Sequence, residues 1–466
     1  MKTGLIGAPF LVSIMAKERS QYVCQECGAT SAKWIGKCPS CNEWNTYVEE
    51  KVLPETKNTR RSLVPSNQQT ASPLAEFSST TGVRVELGDS ELNRVLGGGL
   101  VPGSLMLCGG EPGIGKSTLL LQTAMGFTKG KVLYVSGEES PEQIKMRAER
   151  IGTLHESLFV LPETNMQIIK EQVDAVKPDL VIVDSIQTLH TPLLESSPGS
   201  VSQIRETAAD LLAIAKTKHI PIFLIGHITK DGALAGPKVL EHMVDVVLQF
   251  EGDRYHAFRI LRTVKNRFGS THELGIYEMA GDGLHAVLNP SALLIGEKDP
   301  SLSGSAIAAS MEGMRPILLE IQALVSSAVY GTPQRSATGY DMRRLNMLLA
   351  VLEKRCGFKL AMKDVFLNIA GGLRVEDPAL DLAVVAACLS SSLDLPLSQD
   401  TALAGEIGLS GEIRPVSRIE QRIAEAEKMG FKRMIVSAYN RNIKKKYGDL
   451  EVIGVEKVGD VHRLLF

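Results

Sequence analysis

The sequence predicts an α/β protein whose largest part is a doubly wound parallel sheet. Short, strongly apolar runs alternate with helical patterns over residues 81–285, and such runs are typical of strands buried on both faces of a parallel sheet. Two C-x-x-C pairs near the N terminus indicate a small module held by a metal. A second alternation of strand and helix patterns over 304–466 predicts a further α/β domain, joined to the first by a connector at 286–303.

Composition limits the class of protein. The chain has 466 residues, of which 44% are hydrophobic and 22% charged, as is typical of a soluble globular protein with several domains. A net charge of −2 excludes a globally basic nucleic-acid binder, although a local basic groove remains compatible with it. No apolar run reaches the roughly 18 residues of a membrane helix. Seven cysteines, three of them scattered in apolar surroundings, favour a reducing compartment, so we expect a cytoplasmic protein without a membrane partner.

The N-terminal region divides into three predicted segments. Residues 1–19 are expected to be a disordered leader, 20–48 a four-cysteine ribbon, and 49–80 a flexible linker rich in Ser, Thr, Pro, Asn and Gln. The pairs CQEC and CPSC are ten residues apart, a spacing that favours a tetrahedral Zn²⁺ site over two disulfides or a redox dithiol. The predicted zinc ligands are Cys24, Cys27, Cys38 and Cys41.

The elements of the central domain can be predicted one by one. Pro141 follows Ser140 at a helix start, with Ser140 as the N-cap. Strands are predicted at 105–110, 131–137, 158–161, 180–184 and 220–226, and helices at 116–128, 141–151, 166–177 and 201–218.

A glycine-rich loop lies between the first predicted strand and the first predicted helix. The stretch GGEPGIGKST contains G-x-x-x-x-G-K-S, which is the pattern and the context of an ATP-binding phosphate loop. Lys116 is expected to reach the β- and γ-phosphates, and Ser117 to hold Mg²⁺, while the helix N terminus favours anionic charge. The predicted nucleotide contacts are Gly110, Glu111, Pro112, Gly113, Ile114, Gly115, Lys116, Ser117 and Thr118.

Three further residues are candidates for the same site. Asp184 ends an apolar strand and would deliver a carboxylate to the shell of groups that surrounds the direct ligands of the metal ion. Glu138 is the preferred group to orient the attacking water and Glu139 the alternative, although either acid could simply begin the next helix. His227 follows the last core strand and would contact the γ-phosphate, unless it is merely structural.

These motifs together resemble a known family. The stretch LNRVLGGGLVPGSLMLCGGEPGIGKST resembles the RecA-type ATPase core of RecA, DnaB-type helicases and KaiC, and the C-terminal part resembles the Lon protease domain. Together with the cysteine ribbon and KNRFG, the combination resembles the bacterial RadA (Sms) family from about Tyr22 to Phe466. The resemblance implies a hexameric ATPase that binds single-stranded DNA, works beside RecA, and extends recombination intermediates by branch migration.

The same resemblance assigns roles to basic residues. Lys265 and Arg267 would reach the ATP of a neighbouring subunit, although a solvated basic turn or a direct DNA contact would place cations there too. Two loops, 227–242 and 185–206, would line a ring lumen and track a DNA backbone, unless they are ordinary surface loops. Their candidate DNA contacts are Lys230, Lys238 and Arg205.

The Lon-like region departs from its family at the catalytic positions. Ala379 stands where that family has its serine nucleophile, and Glu420 where it has its lysine. Without a nucleophile the domain cannot act as a peptidase, so we expect it to serve as an assembly scaffold. The rival interpretations are an ATP-dependent protease or unfoldase, which Ala379 disfavours, and a KaiC-like signalling ATPase. Arg315 and Arg344 are among the basic residues that could offer a DNA-facing surface.

Overall fold

A computed structural model describes residues 19–52, 73, 84–228, 234–235, 238–252, 258–271, 273–296, 299–328, 332–441, 443–444 and 446–466. The predicted leader lies outside the described residues except for Arg19, which begins a strand, and so does most of the predicted linker. The first four linker residues belong to a strand that runs to Val52.

Helices and strands are numbered in chain order. The N-terminal strands are β1 (Arg19–Cys24), β2 (Thr30–Ser31) and β3 (Tyr47–Val52). The central elements are α1 (Ser90–Val95), β4 (Leu105–Gly110), α2 (Lys116–Gly126), β5 (Val132–Ser136), α3 (Pro141–Ile151), β6 (Leu158–Pro162), α4 (Met166–Val176), β7 (Leu180–Asp184), α5 (Val201–Lys218), β8 (Ile222–Ile228), β9 (Leu234–Ala235), α6 (Lys238–Met243), β10 (Val246–Glu251), β11 (Phe258–Asn266), β12 (Leu274–Ala280) and β13 (Gly283–Ala286). The C-terminal elements are α7 (Pro290–Leu294), β14 (Ser305–Glu312), β15 (Arg315–Ser327), β16 (Arg335–Thr338), α8 (Met342–Cys356), β17 (Lys363–Ile369), α9 (Asp381–Leu393), β18 (Thr401–Ala404), β19 (Glu406–Ile407), β20 (Ile413–Arg414), α10 (Ile419–Lys428), β21 (Arg433–Ser437), β22 (Lys446–Tyr447), β23 (Leu450–Val455) and α11 (Val458–Leu465).

The chain forms two compact units. The first takes in the described residues up to Val85, Leu100–Pro112 and Lys116–Val247. The second takes in Glu86–Gly99, Gly113–Gly115 and Leu248–Phe466. Helix α1, which precedes the phosphate loop in sequence, therefore belongs to the C-terminal unit.

The first unit contains the predicted parallel sheet. Its strands lie in the order β4-β8-β7-β5-β6, and each neighbouring pair is parallel. Strand β8 lies between the strand that leads into the glycine-rich loop and the strand that ends at Asp184. Because parallel strands present their carboxyl ends at one edge, Gly110 is opposite His227 and Ser136 is opposite Asp184. The apolar runs of β4, β5 and β7 are buried throughout, as the sequence predicts.

The prediction of burial on both faces is wrong for β6. The residues of this strand are half-buried or exposed, and none is fully buried. The physical reason is its place at the end of the strand order, where it has β5 as its single described neighbour.

Local hydrogen bonds explain where the helices begin. Ser140 accepts from the backbone N–H of Gln143, whose side chain accepts from Ser140 N in return, and Pro141 occupies the first turn of α3. This confirms the helix start predicted from the sequence. Ser200 caps α5 through its own side chain, which accepts from the backbone N–H of Gln203.

The second unit contains an antiparallel meander and a second sheet. Strands β10 to β13 follow one another as neighbours, with β11–β12 and β12–β13 antiparallel. The second sheet has the order β16-β17-β15-β14-β18-β21-β23-β22, and α9 lies against it as an almost wholly buried helix. One apolar cluster joins Ile260 and Leu274 of the meander to Leu319 and Ile321 of the second sheet.

Helix length and polarity bear on membrane insertion. Within the described residues, every helix is too short or too polar to cross a bilayer.

Candidate nucleotide site and zinc centre

The phosphate loop lies between a buried strand and the start of a helix, as the motif requires. Strand β4 ends at Gly110 and α2 begins at Lys116. Gly113 and Gly115 have φ angles of 78° and 113°, a region that side chains disfavour. A Cβ at Gly115 would also lie 2.8 Å from Met279 Cε, so this position requires glycine for space as well as conformation.

Lys116 is buried against the loop that precedes it. Its Nζ donates to the carbonyl oxygens of Gly110 at 2.7 Å and Glu111 at 2.9 Å. Burial lowers the pKa of this ammonium, while the nearby Cys108, Asp184 and Glu138 raise it. The ammonium is thus held at the mouth of the loop, where an anionic ligand would relieve part of its desolvation.

Asp184 lies at the carboxyl end of β7 and is almost fully buried. Its Oδ2 accepts a hydrogen bond of 2.7 Å from the hydroxyl of Tyr134 on the neighbouring strand β5. Burial and the adjacent carboxylate raise the pKa of Tyr134 well above its ordinary value, so the phenol stays a donor and orients the carboxylate.

Glu138 lies at the same edge of the sheet. Its Oε1 accepts from Ser185 Oγ at 2.6 Å and from His227 Nε2 at 3.3 Å. Partial burial alone would raise the pKa of Glu138, but these two hydrogen bonds and the charge of Lys116 outweigh it and lower the pKa. The lowered pKa keeps the carboxylate ionised, and both hydrogen bonds that hold it are accepted by Oε1.

Glu139 has a different environment from its neighbour. Its carboxylate forms an ion pair with Arg147 of α3, and its backbone N–H and carbonyl both bond to Ser136 Oγ. The side chain is thereby committed to the following helix. The geometry brings Glu138, and not Glu139, together with His227 and Ser185.

Two residues of this arrangement were not predicted from the sequence. Ser185, directly after Asp184, holds Glu138, and Tyr134 holds Asp184. The sequence carries a signal for Tyr134: it places a polar hydroxyl inside an apolar strand, and a buried hydroxyl requires a hydrogen-bonding partner.

The segment around Lys265 and Arg267 is a turn at the end of β11. Asn266 organises this turn, because its Oδ1 accepts from Phe268 N at 2.9 Å and its Nδ2 donates to Leu96 O at 3.2 Å. A Cβ at Gly269 would lie 3.0 Å from Asn266 Nδ2, so close approach accounts for the glycine. Lys265 is half-buried and Arg267 exposed.

The predicted DNA contacts are placed differently from the expected loops. Arg205 is exposed, but it lies on α5 and not on a loop. The preceding segment is fastened by the buried Gln203, whose Nε2 donates to the carbonyls of Thr191, Leu194 and Ser196. Lys230 lies outside the described residues, and Lys238 is described only as the first residue of α6.

Two arginines suggested as DNA contacts have partners within the protein. Arg315 forms an ion pair with the buried Glu91, and Arg344 with the fully buried Asp381. These guanidinium groups are therefore committed to internal carboxylates, which a DNA contact would have to displace.

The four cysteines of the N-terminal ribbon converge on one point. All four Sγ atoms lie within 4.8 Å of one another, with Cys24–Cys41 at 3.7 Å and Cys27–Cys38 at 3.5 Å. A tetrahedral Zn²⁺ with sulfur at about 2.3 Å places its ligands about 3.8 Å apart, and a disulfide is about 2.05 Å long. The separations fit a zinc site, and all four cysteines are free of disulfides.

The residues predicted to replace the serine and lysine of the Lon family differ in exposure. Ala379 is fully buried beside Asp377, and Glu420 is exposed on α10. Arg422, two residues further along α10, is only 1% exposed, and its Nη1 donates to Asp377 Oδ2 and to Ala309 O, both at 2.6 Å. The cation of this site thus serves a buried carboxylate.

Models of known families match three separate stretches of the chain. A family model described as an AAA domain matches residues 70–233, which include the phosphate loop, Glu138, Asp184 and His227. A model described as a rubredoxin metal binding domain matches residues 22–49, and one described as subunit ChlI of Mg-chelatase matches residues 322–440. The matches and the geometry establish an ATP-binding domain and a zinc-binding ribbon.

Similar proteins cover almost the whole chain. A protein of Bacillus subtilis strain 168 named DNA repair protein RadA is 52% identical over 453 residues, which are 96% of this chain and 99% of that protein. Proteins of the same name from Listeria monocytogenes and Streptococcus pyogenes serotype M6 are 52% and 50% identical, over 96% and 97% of this chain and 98% and 100% of their own lengths. At this identity and coverage, the chain belongs to the RadA family.

Proposed function

We propose that the protein is a DNA-dependent ATPase of recombinational DNA repair that acts in the cytoplasm. It would bind single-stranded DNA and promote branch migration beside RecA as a hexameric ring. The observation that carries the ATPase assignment is the meeting of Lys116, Glu138 and Asp184 around the carboxyl edge of one parallel sheet. The names of the relatives support the repair context.

ATP binding would use a lysine that hydrogen-bonds within the phosphate loop in this structure. Lys116 would exchange the carbonyls of Gly110 and Glu111 for the β- and γ-phosphate oxygens. Ser117 and Asp184 would hold Mg²⁺, which supplies charge neutralisation of the phosphates when bound. The remaining residues of the loop would present backbone N–H groups to the phosphates.

Hydrolysis would use Glu138 as the general base. Its carboxylate would orient a water molecule and accept a proton as the water oxygen bonds to the γ-phosphorus and the bond to the ADP oxygen breaks. Ser185 and His227 would keep the carboxylate in place, since both donate to its Oε1. His227 would also contact the γ-phosphate. Because it lies near the end of β8, it would report hydrolysis to the following segment, which is expected to contact DNA.

Lys265 and Arg267 would complete the site of a neighbouring subunit. Support comes from the rigid turn around Asn266, which fixes the backbone that carries both cations. In a ring, such cations couple hydrolysis to assembly by stabilising charge in the transition state. Lys230, Lys238 and Arg205 would contact the DNA backbone, and the inactive Lon-like domain would act as the assembly scaffold.

The proposal is tested by steady-state ATP hydrolysis with and without single-stranded DNA. The wild type should be stimulated, and Lys116→Ala should hydrolyse no ATP in either condition. The matched control is Lys145→Ala, which removes an exposed helical lysine paired with Glu149 and should leave turnover unchanged. Full turnover by Lys116→Ala would contradict the phosphate-loop assignment, and a wild type that ignores DNA would contradict the DNA-dependent motor.

The contribution between subunits needs a mixing experiment. Lys265→Ala should fold and lose DNA-stimulated turnover. Mixed with Lys116→Ala, it should regain activity, because some interfaces would pair an intact phosphate loop with an intact Lys265. Mixtures no more active than the separate variants would contradict placement at a neighbouring site.

A further inference from the structure

The zinc ribbon exposes the two tryptophans of the chain. Trp34 is 54% and Trp44 67% exposed, and the sequence contains no others. Tryptophan is on average a highly buried residue, and a module this small needs its apolar side chains for its own core. That core is formed without them, by the cysteines and Tyr47.

The two indoles lie side by side over one glycine. A Cβ atom added at Gly36 would lie 3.6 Å from Trp34 Cη2 and 3.9 Å from Trp44 Cζ3. Both rings therefore border the same small surface, which we call the indole pair. Glycine leaves that surface open between them.

The backbone beneath the indole pair is fixed by hydrogen bonds within the second cysteine loop. Asn45 N donates to Gly36 O at 2.7 Å, Cys38 N donates to Glu43 O at 2.8 Å, and Lys37 and Trp44 form an antiparallel bridge. The rings are thus carried on a rigid knuckle, so little backbone entropy is lost when a ligand binds them.

The charges beside the indole pair favour an anionic ligand with a flat ring. Lys37 Nζ lies 5.5 Å from the centroid of the Trp44 ring, and Lys33, next to Trp34, is also exposed. Among the residues next to either tryptophan in the sequence, Glu43 is the single acid. Two aromatic faces flanked by two cations match a nucleobase attached to its phosphates. A stable protein interface requires about 800 Å² on each partner, far more than two side chains present.

We propose that Trp34 and Trp44 form a base-stacking platform for single-stranded DNA, with Lys33 and Lys37 contacting the flanking phosphates. This inference rests on the proposed binding of single-stranded DNA, and it adds a contact site in the ribbon. Stacking tolerates every base, so the site would grip the strand without sequence preference.

Tryptophan emission reports on this site alone in the full-length protein, because the chain has no other tryptophan. We would titrate the zinc-loaded full chain with a labelled thymidine oligomer of about 20 nucleotides, long enough to span a typical single-strand site. Binding is followed by anisotropy and stacking by quenching of the emission. A matched oligomer of abasic sugar-phosphate should bind more weakly and cause little quenching.

Variants separate stacking from charge. Trp34→Ala and Trp44→Ala should each weaken binding about tenfold, as expected for the loss of one stacked base. Lys37→Gln should reduce by about one the slope of the logarithm of the binding constant against the logarithm of the salt concentration. Val48→Ala, which removes an exposed apolar side chain from the same ribbon, is the control and should change neither readout. Zinc content verifies that each variant keeps its fold.

Contrary outcomes are distinguishable. Unchanged emission while the oligomer binds, together with full affinity in both alanine variants, would overturn the platform and leave the proposed function standing. Equal quenching by the abasic oligomer would overturn stacking. If Trp34→Ala kept full DNA affinity but lost co-elution with RecA, the indole pair would be a protein-docking surface and the proposal would fail. No binding of the oligomer by the wild type would contradict both the platform and the proposed DNA-binding function.

Discussion

Replacing Glu138 by glutamine tests the proposed general base with little disturbance of its surroundings. Glutamine keeps an oxygen that can accept from Ser185 and His227, the two donors within 2.6 and 3.3 Å of the carboxylate. It cannot accept a proton at neutral pH. General-base catalysis contributes about 10²- to 10⁴-fold, which corresponds to about 2.7–5.5 kcal/mol in the activation free energy. We therefore expect Glu138→Gln to lose at least about 100-fold in kcat while binding ATP with nearly unchanged affinity.

The adjacent acid supplies the matched control. Glu139→Gln removes an ion pair with Arg147 whose acidic partner is 39% exposed, and pairs of this kind contribute about 0–1 kcal/mol. The Ser136 hydrogen bonds involve only the backbone of Glu139 and would remain. Its kcat should stay within about threefold of wild type. The assay is single-turnover hydrolysis at saturating ATP, with nucleotide affinity measured separately. A slow Glu139→Gln beside an active Glu138→Gln would refute the reasoning.

Three further predictions concern other parts of the molecule. Arg422→Met should lower the free energy of unfolding by about 3–5 kcal/mol, because it leaves Asp377 without its cation. The control Arg374→Ala, at an 81% exposed side chain, should change the free energy of unfolding by less than about 0.5 kcal/mol. Urea unfolding compares the two variants, and equal midpoints would contradict the buried pair. Gly137→Ala should lower kcat, because its Cβ would lie 2.0 Å from Thr188 Oγ1 and 2.6 Å from Thr188 Cβ and would displace Glu138. Adding Thr188→Gly, which removes both atoms, should restore part of the rate, and no restoration would rule out that clash as the cause. Chelation of zinc, or Cys38→Ser, should unfold the ribbon and open it to proteolysis, as limited proteolysis with a zinc assay would check. A ribbon that stayed protected after zinc loss would show that the metal does not supply the folding energy.

Contiguous features of the sequence were predictable. The cysteine spacing, the phosphate loop and the apolar strands each carry their signal within a few residues, so the zinc ligands converge and the order strand, loop, helix appears as expected. Helix starts such as Ser140 are equally local. These features depend on short-range hydrogen bonding and burial, which a single segment specifies.

Features that depend on distant partners were not predictable in the same way. The sequence favours Glu138 but leaves Glu139 as an alternative, because only tertiary contacts show that Arg147 pairs with Glu139 while Ser185 and His227 bond to Glu138. The exposure of β6 follows from strand order, and the internal ion pairs of Arg315 and Arg344 follow from tertiary contacts with Glu91 and Asp381. The type of a charged residue does not reveal whether its partner is solvent, nucleic acid or a buried carboxylate.

The membership of α1 in the C-terminal unit has a consequence for dissecting the molecule. The helix is bound there by Glu91, which accepts from Arg315, and by Arg94, which donates to Glu273 and Leu274 O. The chain thus enters the C-terminal unit before it forms the phosphate loop, leaves it, and returns. A protein cut at 286–303 would leave the buried Glu91 without Arg315 and would divide the apolar cluster that joins Ile260 and Leu274 to Leu319 and Ile321. Isolated halves should therefore be prone to aggregation, and an inactive fragment would report a broken fold rather than a missing function.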